Sequence, residues 1–344
     1  MPFDSGIAFL LAHRGRRVVM LASGDPFHFG AGASVARHLA PDEWHAIPAP
    51  STFSLAAARL GWSVQNSLCL GLHAAPFTRL RPHLAPGCRM LILVRDGDAV
   101  GALAHYLSTQ GFGGSCLHVM EALGGPQERV RTTDADHCDF ADIRHPVIVA
   151  ATIEGTGRVV PRASGIPDDW FAHDGQLTKR PARALTLSAL APRPRDRLWD
   201  IGAGSGSIAI EWLLAHPTTE ATAFEADSGR AARARSNALA LGVDRLTVVE
   251  GHAPDALAGH PLPDAVFIGG GLSPALLDHI WSALRPGTRI VANAVTLESE
   301  ALLAQWHDER GGHLLRIELA EAAPLGTRRG WRSAYPLVQW TVTR

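Results

Sequence analysis

The stretch Leu198-Trp199-Asp200-Ile201-Gly202-Ala203-Gly204-Ser205-Gly206-Ser207 constrains this fold more than any other part of the 344-residue chain. An apolar run breaks into alternating glycines and then into an apolar helical pattern over 208–215, which reads as strand, tight turn and helix. Glycine lets the backbone turn in ways closed to other residues and puts no Cβ in the path of a ligand. The alternation continues, with strands at 221–225, 246–250, 265–268 and 289–292 and helices at 230–241, 274–284 and 298–309. Strands joined through helices lie parallel. Two β-like runs, 313–320 and 335–343, close the chain with no room for a helix between them, so they pair antiparallel. Five crossovers and a terminal antiparallel pair predict a seven-stranded, doubly wound α/β sheet.

The first half also follows α/β arithmetic, with strands expected at 17–22, 90–94 and 146–151 and helices at 31–40 and 53–60. The stretch 155–174 is rich in Gly, Pro and Asp, lacks an apolar period and reads as a linker. Length alone suggests about two domains, placed here at 1–154 and 175–344. A formal charge of −1 gives no nucleic-acid footprint by net charge. The longest apolar runs, such as 90–94, fall far short of the roughly 20 residues that cross a bilayer, and no export signal is visible. The four cysteines form no CxxC pair, which argues against zinc or a disulfide framework. The expectation is a cytoplasmic homo-oligomer that binds a small molecule, with no metal and no nucleic-acid or membrane partner.

A dinucleotide-binding turn would carry glycine at 207, where this chain has Ser207. The observed GxGxG resembles that of class I S-adenosylmethionine (SAM) methyltransferases. Glu225 closes the second strand, 19 residues after Gly206, where a carboxylate can accept both ribose hydroxyls. Gly251-His252-Ala253-Pro254 follows the third strand, where the adenine would be covered. All three segments stand at carboxyl ends of strands, where doubly wound sheets bind ligands.

Thr178, Lys179 and Arg180 precede the first helix of this domain and would flank the cofactor mouth. Lys179 is the only lysine beside 31 arginines, as a site needing a compact or deprotonatable cation would require. Codon bias is the plainer reading of the arginine excess. If the sixth strand runs parallel to the others, the loop 326–332 leaves from the same edge as the glycine turn. Arg328, Arg329 and Arg332 would then overhang the cleft and suit a polyanionic substrate. An arginine-rich surface loop is the alternative. Methyl transfer from a sulfonium needs in-line positioning more than a dedicated base, and no Ser/His/Asp, Cys/His or HExxH arrangement occurs.

Gly24-Asp25-Pro26 after the first apolar run, Pro50-Ser51-Thr52-Phe53 before an alanine-rich helix, and Glu121-Ala122-Leu123-Gly124-Gly125-Pro126 together resemble the tetrapyrrole methylases, in particular the branch acting on precorrin-6Y. Gly165-Ile166-Pro167-Asp168-Asp169-Trp170, His173 to Lys179, Asp200 to Gly206, Gly251 to Pro254 and 292–298 are similar to the decarboxylating partner domain. The resemblance spans the whole chain in the order of the fused C5,15-methyltransferase family of aerobic cobalamin biosynthesis. It implies a class III tetrapyrrole methylase-like α/β domain followed by a class I Rossmann-like SAM methyltransferase domain. The implied chemistry is methylation at C5 by the first domain, and methylation at C15 with loss of the ring C acetate as carbon dioxide by the second, giving precorrin-8X. Implied SAM contacts are Thr178, Gly202, Ala203, Gly204, Ser205, Gly206, Glu225 and Ala253, with Gly24, Asp25, Ser51 and Thr52 in the first domain. Lys179 and Arg180 would anchor substrate carboxylates or steady charge during decarboxylation, and Arg328, Arg329 and Arg332 would bind the polycarboxylate.

The resemblance departs at the start. Family members open with a strand, a Gly-rich loop, a helix and a second strand, and Met1-Pro2-Phe3-Asp4 aligns beyond those elements. The expectation is an N-terminal domain lacking its first strands, with C5 methylation in question and the C15 half complete. The competing expectation is a class I methyltransferase for another acidic small molecule, whose first half binds corrinoid without catalysis.

Overall fold

A computed structural model describes residues 3–22 and 24–344. The chain divides into two compact units, one running to Val159 and the other from Val160 to Arg344, with Thr78–Pro82 grouped with the second.

In the first unit, β1 (Leu68–Gly71), β2 (Arg89–Leu93), β3 (Cys116–Glu121), β4 (Arg129–Asp134) and β5 (Val147–Thr152) form a sheet in the order β1-β2-β5-β3-β4. β1 and β2 are parallel and the other pairs antiparallel. The helix Thr52–Leu60 starts where Ser51 Oγ accepts the Ser54 N–H and stops at Gly61, whose φ of 63° few other residues adopt. It lays Phe53, Ala56 and Ala57 on Leu91, Met120, Ile148 and Ala150.

Two expectations for this unit change. Residues 17–22, read as a strand, join no ladder among the described residues, and Val19 and Leu21 are 83% and 93% exposed. Apolar β-formers make a strand only where a neighbour takes their N–H and C=O groups. The helix expected over 31–40 is confined to Gly32–Ala36; residues 37–39 continue as turn and bend, and Pro41 disfavours helical geometry at Ala40.

The second unit contains β6 (Arg197–Ile201), β7 (Glu220–Glu225), β8 (Thr247–Glu250), β9 (Ala265–Ile268), β10 (Arg289–Ala294), β11 (His313–Ile317), β12 (Ala320–Leu325), β13 (Arg328–Ser333) and β14 (Leu337–Thr343). Seven of these form one sheet in the order β11-β14-β10-β9-β6-β7-β8, as a class I methyltransferase requires. β14 is antiparallel to both β10 and β11, so β11 runs parallel to the central strands. Alternation along β6 sends Leu198 to one core and Trp199 and Ile201 to the other, so helices cover both faces.

The stretch 155–174 is not a free tether. Val160, Ile166 and Phe171 are buried in the second unit's core. Glu211, itself buried, accepts the backbone N–H groups of Gly165 and Ile166 at 2.7 and 2.9 Å and the Arg183 guanidinium at 2.6 Å. Arg183, fully buried, also donates to the Thr178 and Ile166 carbonyls and to Asp168 at 3.0 Å. This buried pair fastens the incoming chain and so places Thr178 and Lys179.

Residues 313–335 also differ from expectation. The final two sheet strands are separated by a hairpin, β12–β13, turning at Gly326-Thr327 and forming its own two-stranded sheet. What reads as an arginine loop has strand periodicity. Arg328 and Arg332 share one face with their partners Leu325 and Glu321, while Arg329 and Trp331 take the other. The three arginines therefore cannot all point one way.

Candidate active site

Strand order reverses between β6 and β9, and the carboxyl ends of those strands diverge into a crevice. The turn after β6 is built for close approach. The Gly202 N–H donates to the Phe224 carbonyl at 2.9 Å, and the N–H groups of Gly269 and Gly270 both reach the Ile201 carbonyl. A Cβ on Gly202 would lie 2.6 Å from the Gly270 backbone, so only glycine lets the two turns meet. Gly204 differs: at φ 57° its missing Cβ points into open space, the room a ligand would fill.

The crevice is a cavity of about 640 Å³. Gly202, Ala203, Gly204 and Ser205 line it beside Glu225 and the Gly251-His252-Ala253 turn, and Thr178 and Lys179 border it from the incoming chain. Glu225 is 7% exposed, and its two oxygens are set by backbone donors, the Gly204 N–H at 2.7 Å and the Asp227 N–H at 3.0 Å. Each oxygen keeps lone pairs for a ligand's hydroxyls. Gly206 begins the helix Ser207–Ala215 without itself lining the cavity.

Asp200 lies under that helix. One oxygen accepts the Ala209 N–H at 3.0 Å and the other has no partner among the described residues. Burial, reinforced by the Glu225 charge and opposed by the Ala209 hydrogen bond, pushes its pKa up to about 7. Asp174 is held well below the ordinary carboxylate range, chiefly by its hydrogen bond from Arg230, with Arg233 beside it at 3.1 Å.

Across the cavity from the glycine turn, the lining comes from Asn293, Val295, Ile317, Leu319, Tyr335 and Leu337. Apart from the stretch 292–298, which holds Asn293 and Val295, sequence alone does not point to these residues, because their apolar neighbours mark strand ends rather than a site; Arg230 reads only as one of several arginines on the helix Ser228–Ala240. Several expected residues stand outside. Arg180 opens its helix with an exposed side chain, and Arg328, Arg329 and Arg332 sit on the hairpin, whose base rather than its arginines lines the cavity. Lys179 faces Asp168 at 4.0 Å and is mostly exposed.

In the first unit the structure does gather the four expected residues. A Cβ on Gly24 would lie 3.3 Å from the Pro50 carbonyl, 3.6 Å from Ser51 Cα and 3.8 Å from the Thr52 nitrogen. Two already have local roles: Ser51 caps the helix, and Asp25 accepts the Phe27 N–H at 2.8 Å. Among the described residues no cluster of three His, Cys, Asp or Glu side chains could hold a metal, and no helix is long and apolar enough to cross a membrane.

Comparison with known proteins gives matches along most of the chain. Residues 169–344 match the precorrin methyltransferase domain and residues 7–139 the tetrapyrrole (corrin/porphyrin) methylases. A Sinorhizobium protein named precorrin-6Y C(5,15)-methyltransferase [decarboxylating] is 50% identical over all of this chain and 84% of its own length. The protein of that name from Mycobacterium tuberculosis is 42% identical over 97% of this chain and 84% of its own. The crystal structure of the C-terminal domain of precorrin-6Y C5,15-methyltransferase from Rhodobacter capsulatus is 54% identical. It superposes with a TM-score of 0.53 over 54% of this chain and all of that domain.

Proposed function

The chain belongs to the family of precorrin-6Y C5,15-methyltransferases (decarboxylating), and on that footing we propose that it methylates precorrin-6Y at C5 and C15 and removes a ring acetate as carbon dioxide, with C15 methylation and decarboxylation in the second unit's cleft. The observation that carries this reading is the convergence of three strand ends on one cavity: the glycine turn after β6, Glu225 at the end of β7 and Gly251-His252-Ala253 after β8. SAM, when bound, supplies an electrophilic methyl group on sulfur. The residues of the cleft fit it. Gly204 leaves space for the ligand beside the backbone, Glu225 would offer fixed acceptors to the ribose, and Ala253 and Thr178, which line the same cavity, would help hold it.

The remaining wall suits a large flat substrate. Val295 is 63% exposed and Tyr335 88%, and both border the cavity with Ile317 and Leu337 as an apolar shelf. Lys179 supplies a cation for a carboxylate at that rim. Arg328, Arg329 and Arg332 act from the hairpin on side chains that extend beyond the cavity, from two faces rather than one. Positioning is the main task, since an oriented carbon nucleophile needs little further help to take a methyl group from a sulfonium. In the decarboxylation the acetate C–C bond breaks, its electron pair enters the conjugated ring and a proton from solvent converts the methylene to a methyl group. Gly24, Asp25, Ser51 and Thr52 are assigned to the C5 half. A cytoplasmic homo-oligomer completes the reading.

The test is calorimetric titration with S-adenosylhomocysteine, followed by turnover of precorrin-6Y with SAM. Binding with methyl transfer and release of carbon dioxide is expected. Binding without turnover of this substrate would redirect the reading to another acidic molecule.

A further inference from the structure

We propose that Asn293 binds a carboxylate of the tetrapyrrole through one side-chain N–H, held in place by Gln339 and Thr186; the assignment rests on the cleft's function given above. Asn293 and Gln339 are directly opposite each other on the antiparallel strands β10 and β14. Thr186, on the helix Arg180–Leu190, sits over both.

The hydrogen bonds fix which way each amide points. The Thr186 hydroxyl donates to the Ala182 carbonyl at 2.8 Å, so its oxygen has only lone pairs left to offer. Two donors meet those lone pairs, Asn293 Nδ2 at 3.0 Å and Gln339 Nε2 at 3.1 Å. The second proton of Gln339 Nε2 goes to Asn293 Oδ1 at 2.9 Å. Both protons of the Gln339 amide are thereby used. Asn293 is left with one N–H that these bonds do not use, and it is the network member that lines the cavity. Thr186 and Gln339 are buried, so the network is enclosed on the protein side and open at Asn293.

This placement is specific. The Glu225 and Ala253 side of the cleft belongs to the adenosyl group, and Asn293 stands on the opposite wall with Val295, Ile317 and Tyr335, where the methyl acceptor must lie. A fixed neutral donor there complements a carboxylate and orients it without the looseness of a long cationic side chain. Lys179, on the same cavity, adds charge. Gln339 and Thr186 are positioning residues that act through Asn293.

The experiment compares Asn293→Ala, Asn293→Asp, Thr186→Val and Thr186→Ser in the full chain. The readouts are S-adenosylhomocysteine affinity, melting temperature, and kcat and KM for precorrin-6Y. Asn293→Ala should lower kcat/KM about 10- to 150-fold, the worth of one hydrogen bond to a charged group, with S-adenosylhomocysteine affinity retained. Asn293→Asp, which replaces the donor with a second anion, should lose at least as much. Thr186→Val should lower kcat/KM in the same direction, and Thr186→Ser should restore most of it. Turnover of both Asn293 variants at the parental level, or Asp outperforming Ala, would overturn the assignment. Failure of the unmodified chain to bind S-adenosylhomocysteine or to use the tetrapyrrole would instead overturn the reading of the cleft.

Discussion

Replacing Glu225 with alanine removes the carboxylate most tightly built into the cofactor side of the cleft. In the protein alone that carboxylate spans the Gly204 and Asp227 backbone N–H groups, so its position precedes ligand binding and no ordering cost falls on the bound state. Hydrogen bonds to a charged group contribute about 1.5–3 kcal/mol, which corresponds to S-adenosylhomocysteine binding roughly 10- to 150-fold weaker. Glu225→Gln should fall between, since one amide oxygen can still accept while the NH₂ opposes a backbone donor. The fold should lose less, because the released N–H groups stand at the rim of an open cavity where water replaces the lost acceptor. Calorimetric titration beside thermal melting separates the two effects. Folded Glu225→Ala protein with an affinity within about twofold of the parent would refute the assignment.

The two turn glycines should respond differently to the same change. Gly202→Ala meets the Gly270 backbone and should cost about 1–3 kcal/mol for overpacking beyond the roughly 1–2 kcal/mol of left-handed backbone strain, whereas Gly204→Ala should carry only the strain and show its main effect on cofactor affinity; equal melting temperatures would contradict this. Glu211→Ala takes from the buried Arg183 guanidinium its buried anion and leaves it only the partly exposed Asp168, and should destabilise by about 3 kcal/mol in chemical denaturation. Asp200, raised to about 7 in the folded chain, retains its proton where the unfolded chain has lost it. Between about pH 4 and 7 the unfolded state therefore binds fewer protons and stability falls as pH rises, by a few kcal/mol in total. Melting curves of Asp200→Asn across that range should lack this decline; parallel slopes for the two proteins would contradict it.

Local pattern made the second unit readable. The strand-glycine-helix run at 197–215 has its period, its turn chemistry and its ligand logic within 20 or so consecutive residues, and Glu225 follows from counting to the next strand end. The hairpin was hidden because Arg328 to Ser333 has no apolar alternation: its strands pair with each other away from any core, so charge and exposure mimic a loop. Residues 17–22 mislead in the other direction, since apolar alternation cannot reveal whether a partner strand exists. The stretch 155–174 is held by Glu211 and Arg183, charged residues whose burial depends on one another and leaves no periodic trace. Asn293 is the least legible, because its partners Thr186 and Gln339 lie 107 and 46 residues away and meet it only after the sheet has formed.

The most direct test of the central claim is mass spectrometry of the product this chain forms from precorrin-6Y and methyl-labelled SAM. The second unit's cleft as a methylating and decarboxylating site predicts a product that carries labelled methyl at C15 and has lost carbon dioxide. Recovery of the substrate at unchanged mass, from protein shown to bind S-adenosylhomocysteine, would contradict it.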